Sequence, residues 1–181
     1  MKSKSAKILL TGLPGCGKTT AVMKIIANLD PGKVAGFYTQ EIREACPEQG
    51  RGNGTRKGFR WTRFDGVTGI LAHVDIKSPW WVSKYGVDVA GFEKSVLPVL
   101  DIEHSNAELF VIDEIGKMEC FSERFVSAIK RLFASDKSVL ATVAKRGKGL
   151  ISEVKKYPGT QLFNLTTQNR DKIITEISQT L

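Results

Sequence analysis

The chain has 181 residues, 41% of them hydrophobic and 25% charged, with a formal net charge of +8. These values belong to a globular chain of about one domain, long enough to bury a core without disulfides or a structural metal. They exclude collagen-like, disordered and disulfide-scaffold classes. Cys16, Cys46 and Cys120 lie far apart with no C-x-x-C pair, and His73 and His104 are the only histidines. A zinc constellation is therefore excluded, and a reduced, cytoplasmic chain is expected.

The lysines at 2, 4 and 7 precede an apolar stretch too short for a secretion leader. No apolar run approaches the ~18 residues of a membrane span, so no membrane partner is expected. Residues 7–11 are a short apolar strand ending at Gly12. After Lys18, the positions Val22, Ile25, Ile26 and Leu29 mark one face of a helix, which Asp30-Pro31-Gly32 stops. Residues 34–39 read as a second strand. Residues 45–57 carry Pro47, three glycines and three basic residues, and read as a loop. Residues 58–64 and 69–74, joined by an Asp65-Gly66 turn, read as a hairpin. Residues 75–91, with Pro79-Trp80-Trp81, read as a second loop. Phe92, Val96 and Leu100 suit a helix that Pro98 ends or kinks. Residues 109–112 and 138–143 are apolar runs of the kind buried on both faces of a parallel sheet. Between them, Phe125, Ile129, Leu132 and Phe133 mark a helix with Ser122 as its cap and Glu123 in its first turn. A weaker strand at 161–165 and a helix through Ile173, Ile174, Ile177 and Leu181 close the chain. The alternation predicts one α/β domain over residues 1–181: a mostly parallel central sheet, an antiparallel hairpin at its edge, and helices on both faces.

The decisive motif is Gly12-Leu13-Pro14-Gly15-Cys16-Gly17-Lys18-Thr19, which satisfies G-x-x-x-x-G-K-[ST] between an apolar strand and an amphipathic helix. The glycines let the backbone wrap with its N–H groups inward, and the helix start adds unpaired N–H groups and a positive dipole end. Residues Gly12, Leu13, Pro14, Gly15, Cys16 and Gly17 form the expected phosphate-binding loop, all of them except Pro14 with an N–H to offer. Lys18 supplies a charge to the β- and γ-phosphates, Thr19 offers its hydroxyl to Mg²⁺, and Thr20 adds a hydrogen bond nearer the α-phosphate. The strand at 109–112 ends in Asp113-Glu114. Asp113 is the expected partner of the Mg²⁺ shell, and Glu114 is placed to orient and deprotonate an attacking water. Asp113-Glu114-Ile115-Gly116 also fits D-x-x-G, in which the glycine N–H senses the γ-phosphate. No N-K-x-D guanine reader is present. Arg43, Arg56, Arg146 and Arg170 are candidate cations for the transition state. Trp80, Trp81 and Tyr85 are candidate base stackers, with packing the commoner role for such residues.

These residues resemble the thermophile-type nucleoside-triphosphatase family, the group that includes the cancer-related nucleoside-triphosphatase. The resemblance rests on Leu10 to Thr20, Gly36-Phe37-Tyr38-Thr39-Gln40-Glu41-Ile42-Arg43, Arg56-Lys57-Gly58-Phe59, Lys84-Tyr85-Gly86-Val87, the block from Val111 to Glu119, and Asn169-Arg170-Asp171. It implies a RecA-like three-layer fold with an extra strand between the phosphate-loop strand and the Asp113 strand. It also implies Mg²⁺-dependent hydrolysis of ATP, GTP and other nucleoside triphosphates with little base preference and weaker action on diphosphates. By position, Glu114 matches the catalytic carboxylate of that class. Two other readings share the loop. One is a nucleoside or nucleotide kinase. The other is a nucleic-acid-associated ATPase, suggested by the net charge and by Phe59, Trp61 and Phe64 among the cations of 51–63. A monomer is the expected state.

Overall fold

The computed structural model describes residues 5–44 and 54–181. Most of the predicted loop at 45–57 therefore lies outside the described residues, and its last two residues begin a strand. Among the described residues nine strands form one sheet: β1 (Lys7–Thr11), β2 (Val34–Arg43), β3 (Arg56–Arg63), β4 (Thr68–His73), β5 (Trp81–Val82), β6 (Tyr85–Val87), β7 (Leu109–Ile115), β8 (Ser138–Val143) and β9 (Thr160–Asn164). Their order across the sheet is β5-β6-β4-β3-β2-β7-β8-β1-β9. Five α-helices accompany them in the described residues: α1 (Lys18–Ile26), α2 (Val89–Val96), α3 (Glu123–Ala134), α4 (Leu150–Lys155) and α5 (Arg170–Ser178).

The sheet is mixed, not mostly parallel. β2, β7, β8, β1 and β9 form a parallel half. β3, β4, β6 and β5 continue it as an antiparallel half of similar width. Two features widen this half beyond the expected hairpin. β2 runs ten residues, and only its first part, Val34 to Tyr38, pairs with β7, while Phe37 to Arg43 pairs with β3. The β5–β6 hairpin has strands of two and three residues, too short to display a period of two. The expected insertion in the parallel half is present: β8 lies between β7 and β1.

Strand alternation sorts the core into two layers. Ile8 and Leu10 of β1, with Val111 and Leu140, pack under Val22 and Ile25 of α1 and Ile173 and Ile177 of α5. Leu9 of β1, with Phe37, Ile112 and Val139, packs under Phe92 of α2 and Phe125 and Ile129 of α3. Phe37 sits edge-on to both Phe92 and Phe125, with ring centroids 5.5 and 6.1 Å away. Ser122 caps α3 through a 2.9 Å bond accepted from the Phe125 amide. At the other end of α3, the buried Lys7 ammonium donates to the carbonyls of Leu132 and Ser135, each at 3.1 Å, and of Lys137. Burial pulls the Lys7 pKa down, and the carbonyl ring compensates in part for the lost water.

The antiparallel half bears on the nucleic-acid reading. Trp61 is buried, and Phe59 packs with it on the core side, edge-on to Tyr85. Arg60 points to the opposite, open face. The aromatic and basic alternation of β3 thus follows the two faces of an amphipathic strand. α4 was not anticipated. It is one short turn-rich helix after Gly149, whose φ of +59° needs glycine.

Phe37 is fully buried between two helices and lies beside the site strand. Phe37→Ala should lower unfolding free energy by about 3–5 kcal/mol, the usual cost of emptying a phenylalanine site. Urea denaturation followed by far-UV circular dichroism measures this, and a loss below about 1 kcal/mol would contradict the packing described.

Candidate active site

The loop from Gly12 to Gly17 joins β1 to α1. Gly15 and Gly17 have φ of +78° and +93°, conformations that L side chains rarely adopt. At Gly12 the constraint is space: a Cβ would stand 2.5 Å from the Leu165 carbonyl oxygen and 2.7 Å from Cys16 Sγ. The Cys16 side chain turns down into the core formed with α1 and α5, leaving only its backbone for the loop. Lys18 folds back along the loop, its Nζ 3.3 Å from the Gly12 carbonyl and 3.4 Å from that of Leu13.

A cleft of about 1000 Å³ opens beside the loop at the carboxyl edge of the sheet. Residues 12–15 and 17–20 line one end. Asp113 and Glu114, from the end of β7, line its middle. The β7–β8 register shifts between Ile112 and Ile115, so these two carboxylates fall where the ladder is interrupted. Asp113 is 2% exposed. Its Oδ1 accepts a hydrogen bond from the Thr142 hydroxyl, and its Oδ2 is buried with no partner among the described residues. Burial dominates and raises its pKa. The Thr142 and Thr19 hydroxyls and the Lys18 charge oppose that rise. Glu114 is raised for the same first reason, with Lys18 opposing and Asp113 adding to the rise.

A third carboxylate stands behind these two. Glu119 is 4% exposed and carries a pKa pushed up to about 8, first by burial and then by Glu114. A Cβ on Gly116 would lie 2.8 Å from Glu119 Oε2 and 3.0 Å from Glu114 Oε1, so Gly116 sits between the two carboxyl groups and a side chain there would displace them. The Gly116 amide faces the Glu119 carboxylate, and Gly116 is buried off the cleft wall. That arrangement differs from the one in which its N–H senses a γ-phosphate.

The structure thus gathers the loop, Lys18, Thr19, Thr20, Asp113 and Glu114 in one cleft, and leaves Gly116 and the Cys16 side chain behind its walls. Of the four candidate arginines, Arg56 and Arg146 line the cleft. Arg170 rests against the loop–helix junction, its Nη1 3.0 Å from where a Gly17 Cβ would be. Arg43 pairs with Glu41 and donates to the Gly54 carbonyl at 3.0 Å, away from the cleft. None of the candidate base stackers reaches it either. Tyr85 is buried in the core, Trp80 stacks on Phe121 at 5.2 Å, and the Trp81 indole donates to the Ser78 carbonyl. Residue reading missed Glu119, whose only signal is its place at the end of the Asp113–Glu119 block. It also missed the cleft's far wall of Gln40, Glu41, Phe59, Leu71 and Val82, which comes from strands distant in sequence.

A family model described as NTPase matches residues 7–178. The nucleoside-triphosphatase THEP1 of Thermotoga petrophila is 38% identical over 171 residues, covering 94% of this chain and 90% of that protein. The human cancer-related nucleoside-triphosphatase is 32% identical over 185 residues, covering 94% and 93%. Among solved structures, THEP1 from Aquifex aeolicus superposes with a TM-score of 0.82 at 35% identity, covering 94% of this chain and 96% of that one. The human cancer-related protein superposes with 0.76 at 34% identity, covering 97% and 96%.

The buried Glu119 makes stability depend on pH. The folded protein holds this proton up to pH about 8, whereas the unfolded chain releases it near the ordinary glutamate value of 4.5, so stability falls as pH climbs through that window. Glu119→Gln has no proton to lose. Its melting temperature should gain on the wild type as pH rises from about 5 to about 8.5, with the gap levelling beyond. Parallel melting-temperature curves would show that Glu119 does not titrate in this way.

Proposed function

This chain belongs to the nucleoside-triphosphatase family, and from that premise we infer that it hydrolyses the terminal phosphoanhydride of nucleoside triphosphates, as its relatives' names describe for them. We read all 181 residues as one RecA-like unit for this reaction. The observation that carries the reading is the convergence of Lys18, the orphan Asp113 Oδ2 and Glu114 on one cleft beside the phosphate loop.

The residues suit the roles physically. Amides of the loop residues other than Pro14, and the start of α1, offer donors and positive potential to the β- and γ-phosphates. Lys18, already within reach of its own loop's carbonyls, exchanges those weak contacts for phosphate oxygens. The buried Oδ2 of Asp113 and the Thr19 hydroxyl suit a hard, oxygen-seeking cation, and these two residues would hold Mg²⁺. When bound, that ion neutralises charge on the transferring phosphoryl group. Glu114, less buried than Asp113, faces the same space and takes the proton of a water whose oxygen attacks the terminal phosphorus. The bond from that phosphorus to the bridging oxygen breaks, giving a nucleoside diphosphate and phosphate. The groups assigned here all act on phosphates, which fits hydrolysis of ATP, GTP and other triphosphates with little base preference. A diphosphate, one phosphate shorter, reaches Glu114 less well and turns over more slowly.

Glu114→Gln should lower phosphate release by about a hundredfold or more, the scale of a lost general base, while nucleotide binding measured by calorimetry persists. Lys18→Ala should weaken binding itself. A wild-type rate in Glu114→Gln would remove Glu114 from the mechanism.

A further inference from the structure

We propose that the half of the cleft beyond Glu114 is a binding site for a second substrate, a nucleoside whose hydroxyl takes the terminal phosphoryl group in place of water. This rests on the reading above for the direction in which the triphosphate lies.

Position comes first. Along the carboxyl edge of the sheet, the phosphate loop follows β1, the carboxylates end β7 two strands away, and β2 is the next strand outward. Tyr38 of β2 pairs with Asp113, so Thr39 to Glu41 run on past the carboxylates along the same edge. A triphosphate anchored on the loop extends its tail toward β7. Displacement at phosphorus is in line, so the nucleophile arrives from the side opposite the leaving oxygen, where β2 and β3 stand.

Size and lining come next. A water needs about 30 Å³. The whole cleft measures about 1000 Å³, at the top of the range for sites that enclose an organic ligand. Its far half has an apolar floor of Phe59, Leu71 and Val82, which does nothing to hold a water. Phe59 is fixed edge-on by Tyr85, with centroids 5.3 Å apart, and the Arg56 guanidinium lies 5.5 Å from its ring centre. The rim carries Gln40, Glu41 and Arg56. Glu41 pairs with Arg56, whose Nε is buried with no partner among the described residues. A flat apolar floor with an amide, a carboxylate and a guanidinium at one edge suits a heteroaromatic ring with donors and acceptors on its rim. A hydroxyl carried by such a ring's sugar comes within the range of Glu114.

The step balances as hydrolysis does. The hydroxyl oxygen bonds to the terminal phosphorus, its proton passes to the Glu114 carboxylate, and the bond to the bridging oxygen breaks. The products are a nucleoside diphosphate and a nucleoside phosphomonoester, and Glu114 returns its proton to solvent.

Phosphorus NMR of the full chain with ATP and Mg²⁺, alone and with adenosine, guanosine, cytidine or uridine, tests this. At least one nucleoside should yield a phosphomonoester. Val82→Trp, which fills the floor, should reduce that product about tenfold or more while acceptor-free phosphate release stays within about twofold of wild type. Phe59→Leu is the milder variant, keeping an apolar residue against Tyr85, and should act in the same direction. Phosphate release without any phosphomonoester from the four nucleosides overturns the second site and leaves hydrolysis standing. Phosphomonoester without acceptor-free release does the reverse. Transfer undiminished in both variants overturns the placement of the site.

Discussion

Three buried carboxyl groups, Asp113, Glu114 and Glu119, lie together on the cleft, and their burial governs the site. Asp113, Glu114 and Glu119 are each pushed toward the protonated form by burial, and Glu114 raises Glu119 further. Lys18 opposes the shift at Asp113 and Glu114 but is not among the influences on Glu119. A buried charge without a full set of partners is unfavourable, and positive charge brought into the cleft relieves it. The same burial raises the proton affinity of all three groups.

The scaffold keeps these groups close because they sit on rigid neighbours. β1, β8 and β7 are adjacent and parallel, with helices on both faces, so the loop after β1 and the carboxylates near the end of β7 lie at one edge. Small steric facts tune the local geometry. A Cβ on Gly12 would strike Leu165, and one on Gly116 would strike the carboxylates of Glu114 and Glu119. Arg170, at the start of α5, presses on Gly17 from the other side and adds a fixed cation beside the loop.

The antiparallel half has a different role. Its core side packs Trp61, Leu71 and Tyr85 under α2, while its upper edge supplies the far wall of the cleft. The half that anchors the phosphate loop is thus continuous with a half that shapes the space facing it. Both belong to one sheet through β2, which is parallel to β7 and antiparallel to β3.

Local chemistry was legible in the chain itself. A glycine-rich turn between an apolar strand and an amphipathic helix specifies its own conformation, and Asp113-Glu114 at the end of an apolar strand marks the carboxyl edge of the sheet. Ser122 as a cap and the faces of α1 and α3 follow from spacing of a few residues. Only the tertiary structure decided the extent of the antiparallel half, the far wall of the cleft and the state of Glu119. β5 and β6 are too short to carry a period, the wall is assembled from β2, β3, β4 and β5, and the proton affinity of a carboxyl group depends on what surrounds it. Residue order records contacts made along the chain, whereas burial and juxtaposition arise when distant segments meet.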